Sequence, residues 1–346
     1  MIINKVLGGG AGNIALPLFG AVAIGSFPTN FTPTGLNYTQ NMWMFSGNDG
    51  GKICIGWYDS LNDQLKSVKT ASSGVATGIA YTSTGYLIIS DNSATQYPGL
   101  YTTTALDEIT TSTTLTGLFS GGVLGYGKDI IADGEQCCIV GEAQSYGGYH
   151  VSYPGMNFYA STVPSFTLTV ADAWSTNVPI RVCLKGSNLI AINGVGLMRW
   201  KSSVGAQFFG GNVQVASSIS TSRVACYNGY IIVAGTKSDG TYIWYSNAAL
   251  SESMTFTELR IDENVGTIVG ISYLQGRYIV AYTYDSKLYF WASAKNDLTQ
   301  SSFVAYQYPG LSSIATDTFV DMKSNGTEAY LLSYAGTNQA HATRLA

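Results

Sequence analysis

The sequence predicts an all-β chain, a seven-bladed β-propeller of four-stranded antiparallel blades, and three observations support it. The first is composition. Of 346 residues only 11% are charged, while 24 Tyr, 13 Phe and 6 Trp suit pleated strands and 40 Gly supply turns. The second is a strand-rich unit of roughly 48 residues, within the range of propeller repeat periods, traced between Leu36 and Ala346. The third lies inside each unit: its second strand reads as an unbroken apolar run, as expected where neighbours cover both faces of a sheet.

The clearest units are Tyr227-Asn228-Gly229-Tyr230-Ile231-Ile232-Val233-Ala234 and Tyr273-Leu274-Gln275-Gly276-Arg277-Tyr278-Ile279-Val280-Ala281. Each is a strand, a Gly-containing turn and a second strand. Third strands are expected at 241–246 and 287–292, and fourth strands at 254–259 and 302–306, completing a blade. Second strands recur from Met42, Tyr86, Gln136, Leu189, Tyr230, Tyr278 and Ala329, which are 44, 50, 53, 41, 48 and 51 residues apart. Loop insertions account for the unequal spacing. In the third strand Leu288, Phe290 and Ala292 alternate with Tyr289 and Trp291, so it packs on a neighbouring blade while keeping a polar edge.

The last unit has strands expected at 320–323, 329–334 and 341–345 and then stops, one strand short. An open edge leaves backbone groups unpaired, and propellers solve this by borrowing a strand from the other terminus. Residues 1–35 are Gly-rich and apolar with Lys5 as their only charge, so the chain divides into an arm, 1–35, and a propeller, 36–346. Segment 14–24 is read either as the ring-closing strand or as a grip on another protein, and the two roles can share the arm. Gly8 to Gly10, Gly12, Asn13 and Pro17 argue against a cleaved leader and against a membrane-spanning helix. The arm is expected to be retained and to dock on protein.

The net charge of −4 and the absence of a Lys/Arg run argue against nucleic acid as a partner. Cys54, Cys137, Cys138, Cys183 and Cys226 fall in expected strands without CxxC spacing and read as buried thiols. His150 and His341 have no partner motif, so no metal, cofactor or catalytic triad is expected. Gly8 to Gly12 lacks the Lys-Ser/Thr of a phosphate loop, and Asp49-Gly50, Asp133-Gly134 and Asp239-Gly240 read as turns.

Arg181 and Arg223 are the first binding candidates. They share a register on the innermost strands of adjacent units, 42 residues apart against a local second-strand spacing of 41. They form either an anion clamp or structural cations paired with Asp172, Asp262 or backbone carbonyls. Tyr146, Tyr149, Tyr153 and Tyr159, with Phe158, cluster in the long third unit, and Tyr97-Pro98-Gly99 recurs as Tyr308-Pro309-Gly310. Tyrosine-rich loops stack on sugars, bury in protein interfaces or pack between blades.

Ser238-Asp239-Gly240-Thr241-Tyr242-Ile243-Trp244-Tyr245-Ser246, followed by Phe256-Thr257-Glu258-Leu259, resembles the sialidase-like propellers with their bacterial neuraminidase repeats. That family's aspartate box, Ser-x-Asp-x-Gly-x-Thr-Trp, lies between the third and fourth strands; the Ser238 stretch is one residue short and precedes the third. The family's chemistry needs three arginines, a nucleophilic tyrosine with its glutamate, and an acidic aspartate, of which only Arg181 and Arg223 suggest themselves. In its Tyr/Gly/Ser/Thr/Asn-rich style, Gly-rich arm and degenerate repeat, the chain is similar to virion appendage proteins of tailed bacteriophages. That resemblance implies a non-enzymatic structural or receptor-binding component of a phage tail or head, resident in the virion. Its arm is expected to bind other virion proteins and its outward loops host cell-surface glycan. The rival expectations are an exported sialidase-like glycoside hydrolase and a secreted lectin-like scaffold.

Overall fold

Short apolar runs bounded by Gly, Asn and Asp fold as hairpins, and the hairpins assemble into sheets. The computed structural model describes residues 21–27, 31–82, 85–92, 97–103, 106, 109–111, 113–117, 125–133, 136–143, 147–153, 179–203, 210–298, 303–306, 317–335 and 339–345. Among them the chain is an all-β propeller with no helix.

After β1 (Ala21–Ser26), the first sheet runs β2 (Thr32–Thr39), β3 (Met42–Asp49), β4 (Lys52–Asp59) and β5 (Gln64–Ser73), crossing the boundary expected at residue 35. The second runs β6 (Val75–Thr82), β7 (Gly85–Asn92), β8 (Tyr97–Thr103) and β9 (Thr116–Gly117). Three described strands follow, β10 (Gly125–Asp133), β11 (Gln136–Ala143) and β12 (Gly147–Tyr153). Next come β13 (Pro179–Lys185), β14 (Asn188–Asn193), β15 (Leu197–Lys201) and β16 (Gly211–Gln214). Then come β17 (Ser220–Tyr227), β18 (Tyr230–Lys237), β19 (Gly240–Ser246) and β20 (Thr257–Asp262). The remaining strands are β21 (Thr267–Leu274), β22 (Arg277–Tyr284), β23 (Lys287–Ala292), β24 (Val304–Tyr306), β25 (Thr318–Ser324), β26 (Ala329–Ala335) and β27 (Gln339–Leu345). These last strands and β1 form one eight-stranded assembly, β1-β27-β26-β25-β21-β22-β23-β24, whose two halves meet where Gly270 pairs in parallel with Met322.

Turn chemistry explains the hairpins. In Gln40-Asn41, Asn228-Gly229 and Gln275-Gly276 both central residues have positive φ. That geometry matches the twist of the flanking strands and favours Asn and Gly. Tyr97-Pro98-Gly99, read from sequence as a loop tripeptide, instead opens β8 and pairs with 90–92, because the chain extends directly into the third strand.

The second strands are covered on both faces by different partners. In β22, Ile279 and Ala281 join a core with Ala329 and Leu331 of β26, while Tyr278, Val280 and Tyr282 join one with Ile232 and Ala234 of β18. β23 divides the same way, Phe290 and Ala292 to one side and Trp291 to the other. Tyr330 and Leu332 of β26 pack with Trp43 and Phe45 of β3, so the end of the chain meets its beginning. Burial of this kind contributes about 1.5–3 kcal/mol for each large apolar side chain.

β1 completes this junction. It pairs antiparallel with β27, from Ala21 opposite Leu345 to Ser26 opposite His341, and Phe27 N extends the pairing to Ala340 O at 3.0 Å. Residues 14–20 of the segment expected to close the ring lie outside the described residues.

Candidate functional site

The innermost strands converge on the channel, and each carries a register shift. The shifts place Gly35, Gly78, Asp129, Arg181, Arg223, Gly270 and Asp321 at equivalent positions. Each is followed by an apolar residue, from Leu36 round to Met322. Bulges re-aim side chains. Glycine occupies three of these positions for want of space: a Cβ on Gly270 would lie 2.4 Å from Met322 O, one on Gly35 2.6 Å from Thr77 O and one on Gly78 2.9 Å from Ile130 Cγ2.

Where the ring carries charge, side chains span the gap between strands. Asp129 accepts from Ile130 N through Oδ1 at 3.0 Å and from Val182 N of the next blade through Oδ2 at 3.1 Å. Asp321 Oδ1 accepts from Met322 N at 2.9 Å. Lys323 Nζ lies 3.7 Å from Asp129 and 3.8 Å from Asp321. These groups line one cavity of about 260 Å³ with Arg181 and Arg223, so three cations face two carboxylates.

Burial, and then the neighbouring Arg181 guanidinium, lower the Arg223 pKa to about 10, against the opposing pull of Asp321 and Asp129. Arg223 Nη1 donates to Ser222 O at 3.1 Å, while its buried Nε has no hydrogen-bond partner. Desolvated guanidinium groups bind oxyanions strongly. The described lining residues include no histidine and no glutamate. The surplus positive charge suits a small anion.

Arg181 and Arg223 are thus brought together as their register implies, but the carboxylates acting on Arg223 are Asp129 and Asp321. Asp172 lies outside the described residues. Asp262 is a correction: at the end of β20 it faces Tyr282 and Trp291 between blades, away from the channel. Asp129 and Asp321 were legible by counting back seven and eight residues from the second-strand starts Gln136 and Ala329, the same offsets that find Arg223 and Arg181 before Tyr230 and Leu189.

Cys183 and Cys226 correct the reading of every cysteine as a thiol. They form a disulfide between β13 and β17, with Cα atoms 6.0 Å apart and a sequence separation of 43. A crosslink closing such a loop typically contributes 2–4 kcal/mol. Cys54, Cys137 and Cys138 are buried thiols. His341 Nδ1 sits 2.6 Å from Asp317 Oδ2, which also accepts from Ser333 Oγ, a structural pairing on the last blade.

Tyr146 and Tyr159 lie outside the described residues. Tyr149 and Tyr153 are on β12, opposite Gly141 and Cys137, and their side chains lie outside the description.

No protein-family model matches the sequence, and no curated protein matches it. Solved structures do. The WD40 domain of Toxoplasma gondii coronin superposes with a TM-score of 0.60 at 10% identity, covering 94% of this chain and 86% of that one. YCF48 from Cyanidioschyzon merolae gives 0.61 at 14% identity, covering 94% and 98%. A structure of YCF48 bound to D1 peptide gives 0.63 at 10% identity, covering 95% and 96%. At these identities the likeness is one of fold.

Proposed function

We propose that the chain is a seven-bladed, non-catalytic propeller that serves as a structural or receptor-binding component of a tailed-phage virion. The observation that carries this reading is the pairing of β1 with β27. Seven innermost strands, β2, β6, β10, β13, β17, β21 and β25, support the blade count, with β1 as the fourth strand of the last blade. That arrangement puts the strand preceded by residues 1–20 on the outer edge of a blade, where an arm can reach a neighbouring protein.

The channel supports binding over catalysis. The Asp129 and Asp321 carboxylates already accept backbone N–H groups, and Tyr227 Oη lies 3.4 Å from the carbonyl oxygens of Ile271 and Ser324. The sialidase-like alternative needs a tyrosine held by a glutamate, and no glutamate is among the described lining residues. The virion setting rests on the Tyr/Gly-rich, charge-poor composition.

The test is incorporation. Mass spectrometry of purified particles is expected to detect the full chain. A chain lacking residues 1–20 is expected to keep its unfolding midpoint and to be lost from particles. Equal incorporation of the shortened chain, or particles without the protein, contradicts the reading.

A further inference from the structure

A second recess, sharing no lining residue with the channel, lies where the last, first and second blades meet. It is a groove of about 760 Å³, within the usual range for small-molecule sites. Its walls are aromatic: Trp57 of β4, and Tyr81 and Tyr86 of the second blade, whose rings meet edge to face at 4.9 Å. Tyr81 is half-buried, so part of its ring is open to a ligand.

Its polar groups are mixed and balanced. Asp59 pairs with Lys66 at 2.6 Å, Glu328 accepts Trp43 Nε1 at 2.8 Å, and Arg344 supplies the second cation, so two carboxylates face two bases. Three rim amides, Gln40, Asn41 and Asn62, each offer both a donor and an acceptor. Gln40 uses its oxygen for Tyr86 Oη at 2.7 Å, and Asn62 uses its nitrogen for Asp59 at 2.8 Å, which leaves complementary groups free on the two sides.

We propose that this groove binds an uncharged oligosaccharide. Hydroxyls donate and accept at once and so match amides, while the C–H face of a sugar ring matches the open part of the Tyr81 ring; Trp57 and Tyr86 are themselves buried. The cancelled charge gives no preference for an anionic ligand. An extended peptide would seek an exposed strand edge, whereas turns form this rim. The inference rests on the receptor-binding half of the proposed function and names the class of receptor.

The experiment is a screen of the full chain against an array of uncharged oligosaccharides, with hits titrated by calorimetry. Tyr81→Ala is expected to weaken binding about tenfold, the effect of losing roughly 1.4 kcal/mol of ring contact. Tyr81→Phe should retain it. Asn62→Ala, on an exposed turn, supplies a second loss should Tyr81→Ala unfold, and Lys287→Ala, exposed on β23 and outside both cavities, should leave binding unchanged. No retained glycan, retention of a peptide instead, or indifference to the Tyr81 and Asn62 variants overturns the proposal. Absence of glycan binding in a chain that still enters particles removes the groove proposal alone; absence from particles removes the assembly reading whatever the groove binds.

Discussion

A chain lacking residues 1–26 is expected to lose on the order of 3–5 kcal/mol of stability, since each ladder hydrogen bond is worth roughly 0.5–1.5 kcal/mol net and the strand from Ala21 to Ser26 is removed whole. Two consequences compound the loss. The edge of β27 becomes a template for pairing with another chain, so dimers or aggregates should appear on size exclusion. Phe27, 3% exposed and 4.8 Å from the Phe45 ring, loses the strand that leads into it, loosening the core between the last and first blades. Urea unfolding monitored by tryptophan fluorescence measures the effect. A midpoint equal to that of the full chain would show that β1 does not hold the ring.

Asp262→Ala is expected to be the most damaging single substitution, at roughly 2–4 kcal/mol, because it removes the acceptor of the buried Tyr282 hydroxyl and leaves Trp291 Nε1 with the Tyr282 oxygen alone, at 3.0 Å. Asp262 Oδ2 accepts the Tyr282 hydroxyl and Trp291 Nε1, the latter at 3.2 Å, and Oδ1 accepts both Asn264 N and Nδ2 at 2.9 Å. One carboxylate thereby ties the last strand of one blade to the second and third strands of the next. Burial, with help from Asp262, raises the Tyr282 pKa well above the ordinary phenol value, so its hydroxyl stays a donor into alkaline solution. Asp262→Asn keeps an acceptor and should recover much of the loss. Unfolding midpoints for the three proteins decide the matter, and equal values would exclude the network as a source of stability.

Much of the architecture was legible because strand periodicity is local. The second strands from Met42 to Ala329, the alternation of Phe290 and Trp291 and the turn at Asn228-Gly229 all follow from neighbouring residues and backbone sterics. The closing strand was legible in kind: three strands in the last unit imply a missing fourth. Its register was not, because β27 sets it; of the expected 14–24, the part from Ala21 lies in β1 and 14–20 lie outside the described residues.

The sites were less legible for the same reason. Arg181 and Arg223 could be placed by register, but their carboxylate partners come from strands far apart in the chain, and Asp262 was misplaced because it ends an outer strand. The Cys183–Cys226 crosslink depends on innermost strands of successive blades meeting at the channel. The aromatic groove joins Gln40 to Arg344, a juxtaposition that exists only once the ring is closed. Of the tyrosines chosen from sequence, Tyr146 and Tyr159 lie outside the described residues, and Tyr149 and Tyr153 are placed by their backbone alone, on β12.

The central claim is a propeller of seven blades closed by its own N-terminal strand. A crystallographic density map of the full chain tests it directly. The expected result is seven sheets around one channel, with 21–26 hydrogen-bonded along 339–345. A different number of sheets, or a β27 edge paired with another segment or another molecule, contradicts it.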